Sequence, residues 1–173
     1  MSIKIVEFKA RIPHAAPAEE SLLTLKPFFK GEDRQTDTYF NVSKGRLKLR
    51  EGNIEHALIW YERPDDAGSK LSNVLLYKHK PDPSLKEVLT SANGIKVIVE
   101  KRRRIYFLDN VKFHFDDVAG LGVFMEVEAI DDTGELGLQK IQEQCDYYAS
   151  FFNIQPNQFM SESYSDMLLK NKP

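Results

Sequence analysis

Cysteine is almost absent from this chain. The single Cys145 among 173 residues can close no internal disulfide, and no Cys/His grouping has the spacing of a structural zinc site, so the fold must be held by buried apolar surface. Long apolar runs are missing as well. Nothing approaches the ~20 residues of a membrane-spanning helix, and the opening MSIKIVEFKARI lacks the apolar stretch of a signal peptide, which makes a reducing cytoplasm the default expectation. Nor does one sign of charge prevail: 24 Lys and Arg meet 26 Asp and Glu for a formal charge of -2. No global positive field argues for nucleic acid or membrane surfaces as partners, so any anion site has to come from local segregation. With 42% hydrophobic residues the chain can bury an ordinary core, and one domain spanning 1–173 is expected.

What the chain does have is charge at every second position inside apolar runs. Glu7, Lys9 and Arg11 alternate with Phe8 and Ala10; Arg46, Lys48 and Arg50 alternate with leucines; Glu126 and Glu128 flank Val127. In an extended strand alternate side chains share a face, so each run places its charges on one side and its apolar residues on the other. Strands are expected over 3–11, from Gln35 through Phe40, and over 46–50, 57–63, 71–79, 95–107, 111–117 and 123–130, with hairpin connections. Ser43-Lys44-Gly45 is a turn whose glycine can take positive φ. A helix is expected over 17–29, starting at Pro17 and weakened at Pro27, with shorter helices over 83–90 and near 163–169. After Gly134 the period becomes helical, with Leu136, Leu138, Ile141, Cys145, Tyr148 and Phe152 close to one stripe. About eight strands with few helices make a mainly β (α+β) chain, the raw material of a closed antiparallel barrel.

Charges at period two ordinarily decorate the wet face of a sheet. Here the basic residues concentrate on particular strands: Lys9 and Arg11; Arg46, Lys48 and Arg50; Arg63; Lys78 and Lys80; Lys101 and Arg103. Like charges side by side repel unless an anion lies between them. Asp116, Glu126 and Glu128 collect in the last two strands instead of pairing one for one with lysines. A triphosphate needs this mixture, because its oxygens take several Lys and Arg donors while Mg2+ or Mn2+ is held by carboxylates and the phosphates together. A sheet curled around these rows would repel itself without its anion. Other residues read more plainly. Gly120 and Gly122 are a tight turn, His114 is an ordinary polar strand residue that shares a face with Asp116, and Cys145 is core packing.

The segments Val6-Glu7-Phe8-Lys9-Ala10-Arg11, Gly45-Arg46-Leu47-Lys48-Leu49-Arg50, Tyr61-Glu62-Arg63-Pro64, Lys101-Arg102-Arg103, Asp116 through Gly122 and Phe124 through Glu128 occur in an order and spacing that resembles the CYTH family of triphosphate tunnel enzymes, especially its class IV adenylate cyclase-like branch. The resemblance implies a closed eight-stranded antiparallel tunnel with helices packed outside, binding ATP, thiamine triphosphate or tripolyphosphate with Mg2+ or Mn2+. It implies cyclisation of ATP to cyclic AMP and pyrophosphate, with triphosphate hydrolysis or non-catalytic binding as alternatives, and a homodimer as the default assembly. By position, Lys9, Arg46, Lys48, Arg50, Arg63, Lys101 and Arg103 correspond to the phosphate-binding set, with Lys9, Lys101 and Arg103 as its catalytic members. Glu7, Asp116, Glu126 and Glu128 correspond to metal ligands, and Lys78 and Lys80 remain rim charges. The family's usual opening is Glu-x-Glu-x-Lys, and Ile5 stands at its first acidic position.

Overall fold

Eight antiparallel strands close into a barrel in the computed structural model, which describes residues 3–62 and 68–172. The strands are β1 (Ile3–Arg11), β2 (Phe28–Phe40), β3 (Arg46–Glu51), β4 (His56–Glu62), β5 (Lys70–Lys78), β6 (Ile95–Leu108), β7 (Val111–Val118) and β8 (Gly122–Asp131). Two meanders, β2 to β5 and β6 to β8, join through the β2–β6 pair, and β1 closes the ring between β5 and β8. Closure leaves no strand edge exposed along the shared register. The helices are α1 (Ala16–Leu23), α2 (Pro83–Asn93), α3 (Leu138–Phe151) and α4 (Tyr164–Lys170). None of the described helices is long and apolar enough to cross a membrane.

Strand alternation sends the apolar residues of β1, β7 and β8 outward. Val6, Phe8, Ala10, Val111, Phe113, Phe115, Met125, Val127 and Ala129 form one core with Leu22 of α1 and with Ile141 and Cys145 of α3. The main hydrophobic layer therefore lies outside the barrel, between its wall and two helices, and the alternate positions are left to line the interior. A second apolar cluster closes one end: Tyr39, Tyr61, Val97, Val99 and Phe124 meet Tyr164 and Met167 of α4. At that end β1 and β5 part after the Glu7–Lys70 pair. The segment before α4 fills the gap, with Phe159 bridging Ala10 and Met160 N–H donating to the Lys9 carbonyl at 2.9 Å.

Most of the expected elements lie within two residues of their anticipated bounds, and the positive φ foreseen for Gly45 is +69°. Three expectations need correction. The strand expected from Gln35 begins seven residues earlier, at Phe28. The helix expected over 17–29 stops at Leu23, because Pro27 disfavours helical backbone in the residue before it; Lys26 takes φ 54° and Phe28 and Phe29 begin β2. Leu136 and Leu138 are not core residues. They are 42% and 44% exposed, since α3 starts only at Leu138 and the preceding turn is held by Asp131, which accepts N–H bonds from Gly134 and Gly137 at 2.8 and 3.1 Å.

The outer core makes a direct test available. Phe113 is fully buried, with its ring 4.8 Å from Tyr148 and 6.2 Å from Phe152 of the α3 segment, so Phe113→Ala should cost about 3–5 kcal/mol. In urea denaturation the midpoint should fall at unchanged slope. A loss under about 1 kcal/mol would mean that α3 is not docked through this ring.

Candidate active site in the barrel

The inward positions of the strands surround a cavity of about 780 Å³ that runs from the α4 end to the mouth where β1 begins. Its wall carries three zones. Next to α4 it is aromatic, with Tyr39, Tyr61 and Tyr164, and Ile59 and Val74 pack with that group; the centre is ionic; Ile5, Leu76 and Ile130 add apolar surface, with Lys30, Lys78, Lys80, His56 and His79 around the opening.

The central cations are held by carboxylates buried directly behind them. Asp37, 1% exposed on β2, accepts from Arg50 Nε and Nη2 at 2.9 and 2.8 Å and from Lys101 Nζ at 2.8 Å, and it lies 3.3 Å from Lys48 Nζ. The register puts it there, since Asp37 pairs with Arg50 across β2 and β3 and faces β6 on its other side. Burial opposes its charge, yet Arg50, Lys101 and Lys48 outweigh that and keep the carboxyl well below its usual range. Asp116 repeats the device on β7. It takes Arg103 Nε and Nη2 at 2.7 and 2.6 Å and the Tyr164 hydroxyl of α4 at 2.7 Å. Lys9 lies 3.2 Å from Glu126 and 3.8 Å from the centre of the Tyr164 ring. Nearer the mouth Glu55 binds Arg50 Nη1 at 3.0 Å and also Lys112.

The expected self-repulsion is thus largely offset. Lys9, Lys48, Arg50, Lys101, Arg103 and Lys112 stand against Glu7, Asp37, Glu55, Asp116, Glu126 and Glu128, one carboxylate for each cation, in or just behind the wall. Burying six cations is tolerable only with such compensation. The balance is uneven in space. Burial and the neighbouring charges of Glu7 and Glu126 push Glu128 up to about 7 against the pull of Lys112 and Arg103. Burial, with Arg50, Arg103 and Lys48 nearby, pushes Lys101 down to about 7 despite Asp37. His114, 1% exposed between β6 and β8, is pushed to about 3 by burial and by Arg103 and Lys112, and so is neutral near pH 7.

Among the residues singled out from the sequence, Glu7, Lys9, Lys48, Arg50, Lys101, Arg103, Glu126 and Glu128 line this one cavity, and Lys78 and Lys80 stand at its mouth. Arg46 is elsewhere: its guanidinium pairs with Asp166 of α4 at 2.7 Å and lines a separate recess at the covered end. Asp116 does not present a carboxylate to the cavity, because Arg103 and Tyr164 engage both of its oxygens. Arg63 lies outside the described residues. Sequence reasoning missed Lys112, which pairs with Glu55, and three further groups. Asp37 had a signal, as a poor strand former in the middle of a strand rich in Thr and Tyr. Glu55 belongs to the β3–β4 hairpin and had none, its place being set by Asp33, which accepts the N–H groups of Ile54 and Glu55 at 2.9 and 3.0 Å. His114, read as an ordinary strand residue, is part of the ionic wall: its Nδ1 is 3.4 Å from Glu126 and 3.9 Å from Glu128.

Residues 4–153 match the CYTH domain family. A Methanocaldococcus jannaschii protein named "Putative adenylate cyclase MJ0240" is 26% identical over 175 residues, 94% of this chain and 97% of that one. Among solved structures, the PH1012 protein of Pyrococcus horikoshii OT3 superposes with a TM-score of 0.76 at 24% identity, covering 96% of this chain and 98% of that one. The Hippeastrum protein "Putative adenylyl cyclase HpAC1", described as having a dominant triphosphatase activity, gives 0.60 at 16% identity over 100% and 97% of the two chains.

Two stability measurements test this electrostatic account. Asp37→Asn leaves Arg50, Lys101 and Lys48 without their shared counter-charge and should cost about 3–5 kcal/mol, a loss that millimolar tripolyphosphate partly restores; equal stability with and without the anion would refute it. For Glu128 the folded-state titration lies above the ordinary one, so the folded protein holds an extra proton in between. Its contribution is full below pH ~4 and is lost as pH rises to ~7, a change on the order of 2–3 kcal/mol. In chelator-treated samples Glu128→Gln should therefore gain on the parent protein between pH 5 and 7. A difference that stays flat with pH would show that Glu128 titrates normally.

Proposed function

Because this chain belongs to the CYTH family, we propose that it is a divalent-metal-dependent enzyme that binds an organic triphosphate in the barrel and converts ATP to cyclic AMP and pyrophosphate. The observation that carries the reading is the charge balance of the ionic centre. A triphosphate brings about four negative charges at neutral pH, more than the surplus that Lys30, Lys78 and Lys80 hold over Asp132 at the mouth of a balanced centre, so dications entering with the substrate would complete the balance. The residues fit such ions: His114, Glu126 and Glu128 each offer a ligand atom, all within 4.8 Å of one another, and the raised Glu128 carboxyl sits where a dication would relieve repulsion from Glu7 and Glu126.

The roles of the side chains follow from how they are held. Asp37 and Asp116 each grip one edge of a guanidinium and so fix the planes of Arg50 and Arg103, which orients these donors before phosphate arrives. Lys9, Lys48 and Lys101 add point charges around the same centre. A bound dication would neutralise phosphate oxygens and lower the pKa of an attacking hydroxyl. For cyclisation the ribose 3′-hydroxyl attacks the α-phosphorus in line, the bond to the bridging oxygen breaks, and the cationic wall stabilises the charge gathering on the pyrophosphate. The apolar lining at Ile5, Leu76 and Ile130 gives the organic group a lodging that inorganic tripolyphosphate would not use.

Triphosphate hydrolysis is the second reading, favoured by the activity described for the Hippeastrum structural relative. Incubation with ATP, thiamine triphosphate and tripolyphosphate under Mg2+ and Mn2+, with products resolved, separates the two. Cyclic AMP with pyrophosphate supports the cyclase; orthophosphate supports the hydrolase; no turnover of any of the three overturns both. Lys101 supplies a pH signature: phosphate oxygens favour its charged form, so binding should take up protons above pH ~7 and weaken as pH rises. Calorimetry in buffers of different ionisation enthalpy reads that uptake. Lys101→Ala should abolish it and lower kcat/KM by about 100-fold.

A further inference from the structure

We propose that the His114 imidazole is itself a metal ligand and that it biases the centre toward Mn2+, and first-row transition dications generally, over Mg2+. The inference rests on the triphosphate reading and concerns which ion that site selects. His114 pairs with Glu126 across β7 and β8, and Glu128 follows two residues on along the same face, so the register alone gathers one nitrogen and two oxygen donors. Nδ1 is 3.4 Å from Glu126 Oε2 and 3.9 Å from Glu128 Oε1. Adjacent ligands on one ion with bonds of about 2.0–2.2 Å stand roughly 3–3.5 Å apart, so a small side-chain adjustment completes the set.

The second observation is the state of the imidazole. A buried histidine with a structural role has both ring nitrogens engaged. Here the contact to Glu126 is long, and Nε2, although fully buried, reaches no hydrogen-bond partner among the described residues. A side chain 1% exposed therefore has one long contact, from Nδ1 to Glu126, and leaves Nε2 without a partner among the described residues, while it stands beside two carboxylates. The positive groups around it, Arg103 and Lys112 toward His114 and Lys9 toward Glu126, keep the ring neutral, and an ion bound at Nδ1 would take its lone pair with the ring proton moved to Nε2.

The chemistry of the set then decides the ion. Mg2+ demands hard oxygen ligands in near-ideal octahedral geometry, whereas imidazole is a borderline donor that gains affinity along the first transition row. Two carboxylates with one imidazole, completed by triphosphate oxygens, suit Mn2+, which accepts both donor types.

The test uses the full chain with Mn2+ or Mg2+ and inorganic tripolyphosphate, and reads binding instead of turnover. Loss of the free-ion Mn2+ resonance, with Mg2+ as competitor, should give Mn2+ at least about tenfold the affinity of Mg2+. His114→Gln should bring that ratio close to one, and His114→Asp should raise Mg2+ affinity relative to His114→Gln. Electron spin echo modulation of Mn2+ bound to the unaltered chain should carry 14N coupling from a directly bound imidazole, a readout that needs no variant to fold. Absence of that coupling, or a Mn2+/Mg2+ ratio unmoved by His114→Gln, overturns the inference while leaving the triphosphate reading intact. Failure of both ions to bind in the presence of tripolyphosphate overturns the two together.

Discussion

The barrel can be ionic inside because each cation of its centre has a carboxylate within reach, and the Asp37 clamp on Arg50, Lys101 and Lys48 is the clearest instance. A lone ammonium or guanidinium at this depth would cost several kcal/mol of lost hydration, and pairing recovers that cost only with good geometry. β2 supplies the geometry by standing between β3 and β6, so that one side chain meets cations from both neighbours. Asp116 does the same for Arg103 and extends the network to α4 through Tyr164. Any charge brought into this interior is thereby coupled to the charges already in its wall.

This interior forces the apolar core to the outside. A barrel whose lumen is filled with leucine and valine needs no helices to stabilise it, but this one places its aliphatic face outward on β1, β7 and β8 and must cover it. α1 and α3 do so, and their packing is where hydrophobic stabilisation is concentrated. α4 covers the barrel end, joining the aromatic cluster through Tyr164 and Met167 and the ionic centre through the Asp116 bond. The covering helix and the ionic centre therefore share residues. A change in how α4 is seated would be felt at Arg103 and Lys9, which touch Asp116 and Tyr164.

Much of this was legible before any coordinates. Alternation of charge and apolar residues is a statement about faces, and it located nearly all strands to within two residues, because period two admits one extended solution for runs of that length. The errors came where a local pattern was overruled by a single residue or by a neighbour in space. The stripe through Phe29 looked helical until Pro27 broke it, and Leu136 and Leu138 kept the helical period while lying ahead of the docked part of α3. Arg46 shares its strand face with Lys48 and Arg50, yet at the strand's end it meets Asp166.

Composition and periodicity by themselves determined the class of fold, the alternation of faces and the concentration of opposite charges on different strands, because these depend only on residue type and spacing along one strand. Which carboxylate neutralises which cation was decided by tertiary structure alone. Asp37 and Lys101 are 64 positions apart, as Glu55 and Lys112 are 57, and only barrel closure with its fixed stagger brings such pairs within hydrogen-bonding distance. His114 likewise turned from one polar residue on a strand into a buried nitrogen beside two carboxylates, since the register of the β7–β8 hairpin sets it opposite Glu126 and the folded barrel buries the pair.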